Sequence, residues 1–114
     1  GREAMAKENT RVAIEHFTAL TDHAPDFAEG WHARATAYFS AELLGPALDD
    51  LQRALFLNPD NYDAVFGLGS MMVTYGDLPR AEQAFREVLR LHPHHENATN
   101  ALKRLEGQGI GREL

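Results

Sequence analysis

Three histidines within four residues, His92, His94 and His95, form the densest group of possible metal ligands in this 114-residue chain. Imidazole is a common zinc ligand, but a closed zinc site needs four donors, and the chain has no cysteine and no second histidine pair at a recognised spacing. Pro93 interrupts the run and marks a turn, so the histidines are expected to be loop residues open to solvent, with no metal bound. The carboxylates point the same way. Asp49 with Arg53 and Glu82 with Arg86 stand four apart, the spacing of surface ion pairs on a helix. No Gly-rich phosphate loop, nucleophile elbow or His-Glu-x-x-His segment occurs. Neither a catalytic site nor a cofactor is expected.

Charge and hydropathy narrow the partners. Seventeen acidic against 11 basic residues give a net charge of -6, which offers no positive field to gather a phosphate backbone, so nucleic acid is not expected. A 44% apolar share, a 25% charged share and a mean hydropathy of -0.40 are those of a folded chain. The longest uncharged stretch, Ala64–Gly76, has 13 residues and is interrupted by Gly67, Gly69 and Ser70, too short for a bilayer span. A chain of this size supports one core or one continuous stack. With no cysteine and a start at Gly1 lacking Met or a leader pattern, a processed or internal start is expected and the compartment is left open.

The elements that must carry these residues follow one ruler. Pro25, Pro59 and Pro93 lie 34 residues apart, and each has an alanine 12 positions earlier: Ala13, Ala47 and Ala81. Four residues after each alanine stands Phe17, Leu51 or Phe85, and three further on Leu20, Ala54 or Val88, a spacing that marks one face of a helix. Asp26 and Asp60 follow the periodic proline and are expected as N-caps of the next helix, with Glu29 and Asp63 in capping-box position. A second apolar stripe precedes each alanine: Trp31, Ala35 and Tyr38, then Val65, Leu68, Gly69 and Met72. Pro46 and Pro79 suit first helical turns, where the missing N–H has no intrahelical acceptor anyway. Helices are therefore expected over about 2–8, 11–22, 27–41, 46–57, 61–75, 79–91 and 95–106.

Those residues resemble the tetratricopeptide repeat, a 34-residue helix-turn-helix unit. In the unit beginning at Ala28 the pattern falls on Trp31, Arg34, Ala35, Tyr38, Ala47, Leu51, Ala54 and Pro59, with Arg34 departing from leucine. In the unit beginning at Tyr62 it falls on Val65, Leu68, Gly69, Met72, Ala81, Phe85, Val88 and Pro93. Gly1, Ala4, Ala13, Phe17, Leu20 and Pro25 supply the rear of a truncated repeat, so the likeness spans about 105 residues. It implies an all-α, right-handed superhelical stack of antiparallel hairpins of the short bacterial type: 1–27 as truncated repeat, 28–61 and 62–95 as full repeats, 96–106 as capping helix and 107–114 as flexible tail. Small residues at the crossing, Ala35 or Gly69 facing Ala47 or Ala81, are expected to let the two helices of a hairpin approach closely.

The family resemblance further implies a protein or peptide ligand held in a concave groove lined by first helices. Groove positions then fall at Glu29, His32, Thr36, Phe39 and Ser40; at Asp63, Phe66, Gly67, Ser70, Val73 and Thr74; and at Asn97, Asn100 and Arg104. Phe39 and Phe66 beside Glu29 and Asp63 suggest an apolar ligand of basic character, the alternative being that both rings pack on neighbouring repeats. Gly67 would let a ligand backbone come close. Relatives that hold the acidic C-terminus of heat-shock chaperones carry a Lys, Asn, Asn, Lys, Arg clamp. Those positions here are His32, Thr36, Gly67, Asn97 and Ala101, so such a tail is disfavoured. The rival to an adaptor is a self-association module, a homodimer using an apolar edge of Met5, Val12 and Leu20.

Overall fold

The computed structural model describes residues 2–107, with side chains from residue 4 onward. Among the described residues there are six α-helices and no strand: α1 (Arg2–His23), α2 (Ala28–Ser40), α3 (Leu44–Leu57), α4 (Tyr62–Tyr75), α5 (Leu78–Leu91) and α6 (Glu96–Gly107). This is an all-α helical repeat. Gly1 and the tail residues 108–114 lie outside the described residues, and Gly107, expected to open that tail, closes α6. Contacts divide into two compact units between Pro59 and Asp60.

Two expectations about element boundaries are corrected. Residues 2–23 form one helix rather than two, because nothing at Asn9 and Thr10 stops it. Arg11 pairs with Glu8 one turn back and Glu15 one turn ahead, and the Thr10 hydroxyl donates to the Ala6 carbonyl, so interactions run straight across the expected break. The caps are also displaced by one residue. Phe27 N–H donates to the Ala24 carbonyl and His95 N–H to that of His92, which places Pro25 and Pro93 second in four-residue turns. Asp26 therefore lies inside its turn, and the N-cap is Phe27, whose side chain makes no capping bond. Asp60 gives way to Asn61 in the same manner, and Asn61 accepts from Ala64 N–H at 3.2 Å.

In the first unit, α2 and α3 form a hairpin and α1 packs on α2. Ala35, Ala47 and Leu51 are fully buried at its centre. Arg34 explains its own departure from leucine. Its Nε donates to Asp50 Oδ2 at 2.7 Å and its Nη2 to Oδ1 at 2.9 Å, while Nη1 reaches the Thr18 hydroxyl at 3.3 Å. One guanidinium thus ties α1, α2 and α3 together. It also lies over the Trp31 and Tyr38 rings, 5.1 and 5.5 Å from their centroids. The side chains are only 14% and 7% exposed, and the Asp50 hydrogen bonds raise the Arg34 pKa against the opposing effect of burial. Arg53 does not pair with Asp49 as expected; it stacks on Trp31 and Phe56 instead.

In the second unit, α4 and α5 form the hairpin and α6 packs on α5. Gly76 ends α4 with φ +87°, a left-handed conformation that glycine adopts without strain. Glu42, one repeat earlier, adopts φ 62° and carries the side-chain cost that Gly76 avoids, on the order of 1 kcal/mol. Asp77 caps α5 by accepting from Arg80 N–H, and the expected Glu82–Arg86 pair is present at 3.0 Å. At the small residue Gly69 the tightest neighbour is Phe85. A Cβ there would stand 2.5 Å from Phe85 Cε1 and 2.8 Å from Cδ1 and Cζ, so the Phe85 ring fills the space an alanine methyl would need.

Candidate functional site

A depression of about 310 Å³ opens in the second unit between α4 and α6. Phe66, Ser70 and Val73 come from α4 at helical spacing, Ala101, Arg104 and Leu105 from α6, and Phe85 from α5. The Phe66 ring is half-buried, 5.3 Å from the Phe85 ring and 5.2 Å from that of His95. Phe85 itself is 2% exposed, so it is fixed while Phe66 keeps an open face. Among the described residues Arg104 supplies the sole ionisable side chain of the lining, and it stands exposed in the last turn of α6.

A second depression, about 370 Å³, lies in the first unit, lined by Phe17 of α1 with Glu29, His32, Ala33, Thr36 and Ala37 of α2. Its ionisable groups are an acid and an imidazole. The two concavities therefore offer apolar floors with opposite edge charges. In the second, the Thr36 hydroxyl donates to the His32 backbone carbonyl at 3.1 Å, and an apolar floor with a few polar groups at its edge is the make-up of a ligand-binding depression.

The remaining groove positions scatter. Ser40 faces a separate depression along the N-terminal half of α1, with Ile14 and Leu43. Asn100 borders a polar hollow with His94, Glu96, Thr99 and Lys103. Phe39, Asp63, Gly67, Thr74 and Asn97 line none of these four concavities. Asp63, Thr74 and Asn97 are exposed and Phe39 is half-buried. Sequence reasoning assigned Phe85 to the hairpin core, named Ala101 only as a clamp position lacking its cation, and left Leu105 aside; the helical neighbours of Arg104 at one and three residues were the available signal.

The histidine run is less open than expected. His92 and His95 are half-buried, their rings 5.6 Å apart, and Tyr62 lies 4.7 Å from His92. His95 Nδ1 accepts from Ala98 N–H at 3.0 Å and so caps α6, the helix that carries Arg104. Among the described residues no group of three or more His, Cys, Asp or Glu side chains is arranged to hold a metal. Nor is any described helix long and apolar enough to cross a membrane.

Two hairpins of one design at a 34-residue period invite comparison with known families. A tetratricopeptide repeat family model matches residues 1–45 and 32–96. The chain belongs to the tetratricopeptide repeat family. Among relatives, mouse DnaJ homolog subfamily C member 3 is 28% identical over 105 residues, which is 92% of this chain and 21% of that protein. The chain thus spans about a fifth of the length of that curated relative. Of solved structures, the first tetratricopeptide domain of Spaghetti (RPAP3) bound to the HSP90 peptide SRMEEVD superposes with a TM-score of 0.84 at 26% identity, covering 95% of this chain and 86% of that one. MamA does so with a TM-score of 0.84 at 26% identity, covering 89% and 60%.

Proposed function

We propose that this chain is a non-catalytic adaptor or scaffold whose depressions receive segments of another protein. The observation that carries this reading is the open face of Phe66 above the fixed Phe85 ring, an apolar seat bordered by a hydroxyl and a charge. Seats of this kind suit one anchoring side chain of a peptide, and such anchors dominate binding energy. The peptide complex formed by the Spaghetti domain supports the same use of a related repeat. In the first unit, Glu29 borders the apolar floor of its depression and favours a ligand that is apolar with basic character. His32, Thr36, Gly67, Asn97 and Ala101, at the clamp positions of chaperone-tail binders, provide no lysine or arginine. A free acidic chain terminus of that class is therefore disfavoured.

Phe66→Ala tests the reading. Partners captured from native extract by the unmodified protein should bind the variant about tenfold or more weakly, with secondary structure retained by circular dichroism. Equal affinity for both proteins would remove Phe66 as an anchor.

Self-association is kept as the second reading because Met5 and Val12 on α1 are 67% and 50% exposed. Light scattering separates the two: the adaptor reading expects a monomer across the micromolar range, and a concentration-dependent dimer abolished by Met5→Ser with Val12→Ser would favour self-association.

A further inference from the structure

We propose that the α4–α6 depression accepts a large apolar side chain of a partner peptide whose adjacent residue is Asp or Glu, with Arg104 pairing to that side-chain carboxylate. This rests on the peptide-binding reading above and adds the polarity of this site, opposite to that favoured by Glu29 in the first unit. The first support is where the chain's guanidinium groups go. Arg11 pairs with Glu8 and Glu15, Arg34 with Asp50, Arg80 with Asp77, Arg86 with Glu82 and Arg90 with Glu87. Arg53 covers aromatic rings. Among the described residues, Arg104 has neither a carboxylate nor a ring, in a chain of net charge -6 that offers many carboxylates.

The second support is what surrounds it. The acids on α4 and α6 are Asp63, Glu96 and Glu106, and none of them lines the depression. A carboxylate entering beside Arg104 therefore meets a planar donor fork suited to two parallel hydrogen bonds, with no acid among the described lining residues to oppose it. A lysine at the same place would face Arg104 directly and would be rejected by like charge. The volume of about 310 Å³ stands at the small end of the range for ligand pockets, on the order of 300–1,000 Å³. It suits a single anchoring side chain with its neighbour at the rim, and Ser70 places a hydroxyl in the lining for the peptide backbone between them.

The test uses the full chain and short fluorescent peptides with acetylated and amidated ends, sharing a central Leu-Phe and differing only in a flanking Glu, Gln or Lys. Fluorescence anisotropy at low salt should show the Glu peptide binding about tenfold more tightly than the Lys peptide. Arg104→Gln should reduce that preference to within about twofold and Arg104→Glu should reverse it, while Phe66→Ala should weaken all three peptides alike. Amide shift changes should centre on Phe66, Ser70, Ala101 and Arg104. A Lys peptide that binds this depression as tightly as the Glu peptide, or a Glu preference that survives Arg104→Gln, overturns the proposed polarity and leaves peptide binding standing. No shift in the depression with any peptide at millimolar concentration overturns both.

Discussion

Asp50→Ala should lower the unfolding free energy by about 3 kcal/mol and the melting temperature by more than about 10 °C. The substitution deletes little apolar area, so a loss of this size must come from the charge left behind. Arg34 donates two short hydrogen bonds to one carboxylate, and its side chain is 14% exposed. Without Asp50 it retains only the Thr18 hydroxyl at 3.3 Å and the faces of Trp31 and Tyr38. That partial exposure allows some rehydration and sets the loss at the low end of the range for breaking a buried pair. Arg34→Leu strands the more deeply buried Asp50 and should cost more, about 4 to 5 kcal/mol. The Arg34→Leu, Asp50→Leu double variant removes both charges and should recover most of the unmodified stability. Urea unfolding of the three proteins checks the order, and a double variant no more stable than either single one would refute this account.

Gly69→Ala should destabilise by about 1 to 2 kcal/mol, although alanine is favoured over glycine inside a helix by roughly 1 kcal/mol. The new methyl would meet three atoms of the Phe85 ring at 2.5 to 2.8 Å, and a ring that is 2% exposed, with Phe66 5.3 Å away, yields only by disturbing its neighbours. The other full repeat holds the complementary solution. There the matching positions are Ala35 and Leu51, both fully buried: a larger residue on the first helix and a narrower one on the second. Adding Phe85→Leu to Gly69→Ala recreates that combination and should return about 1 kcal/mol or more through favourable coupling. Because Phe85 also floors the α4–α6 depression, Gly69→Ala alone should weaken peptide binding as well. A Gly69→Ala protein that melts above the unmodified one would show that the ring yields freely.

The 34-residue ruler located five of the helices to within about three residues, because Pro25, Pro59, Pro93 and the alanines before them report turns and crossings directly. It failed where the determinant was not periodic. The continuity of α1 depends on Arg11 reaching both Glu8 and Glu15, and a search for repeats passes over such pairs. The caps were displaced because a proline at the second place of a four-residue turn consumes the following Asp before the helix starts. For the depression, Phe66, Ser70, Val73 and Arg104 were legible as helical stripes. Phe85 was not, since a core ring that also floors a surface concavity leaves no separate mark in its own spacing. The Arg34–Asp50 pair had a signal that went unused: an Arg three residues after Trp31 and an Asp three residues after Ala47, each interrupting an otherwise apolar stripe.

That ion pair occurs in one hairpin and has no counterpart in the other, where the equivalent positions are Leu68 and Ala84. Helices of repeats built on one pattern can mispair during folding, and stripes of similar shape alone give little penalty for it. If α2 docked on α5, Arg34 would lie against Ala84, and if α4 docked on α3, Asp50 would lie against Leu68. Either swap would strand an ionised group in a greasy seam. The salt bridge thus acts as a matched key and lock written into only one of the two look-alike pairs, costing little when the proper helices meet and penalising every exchange.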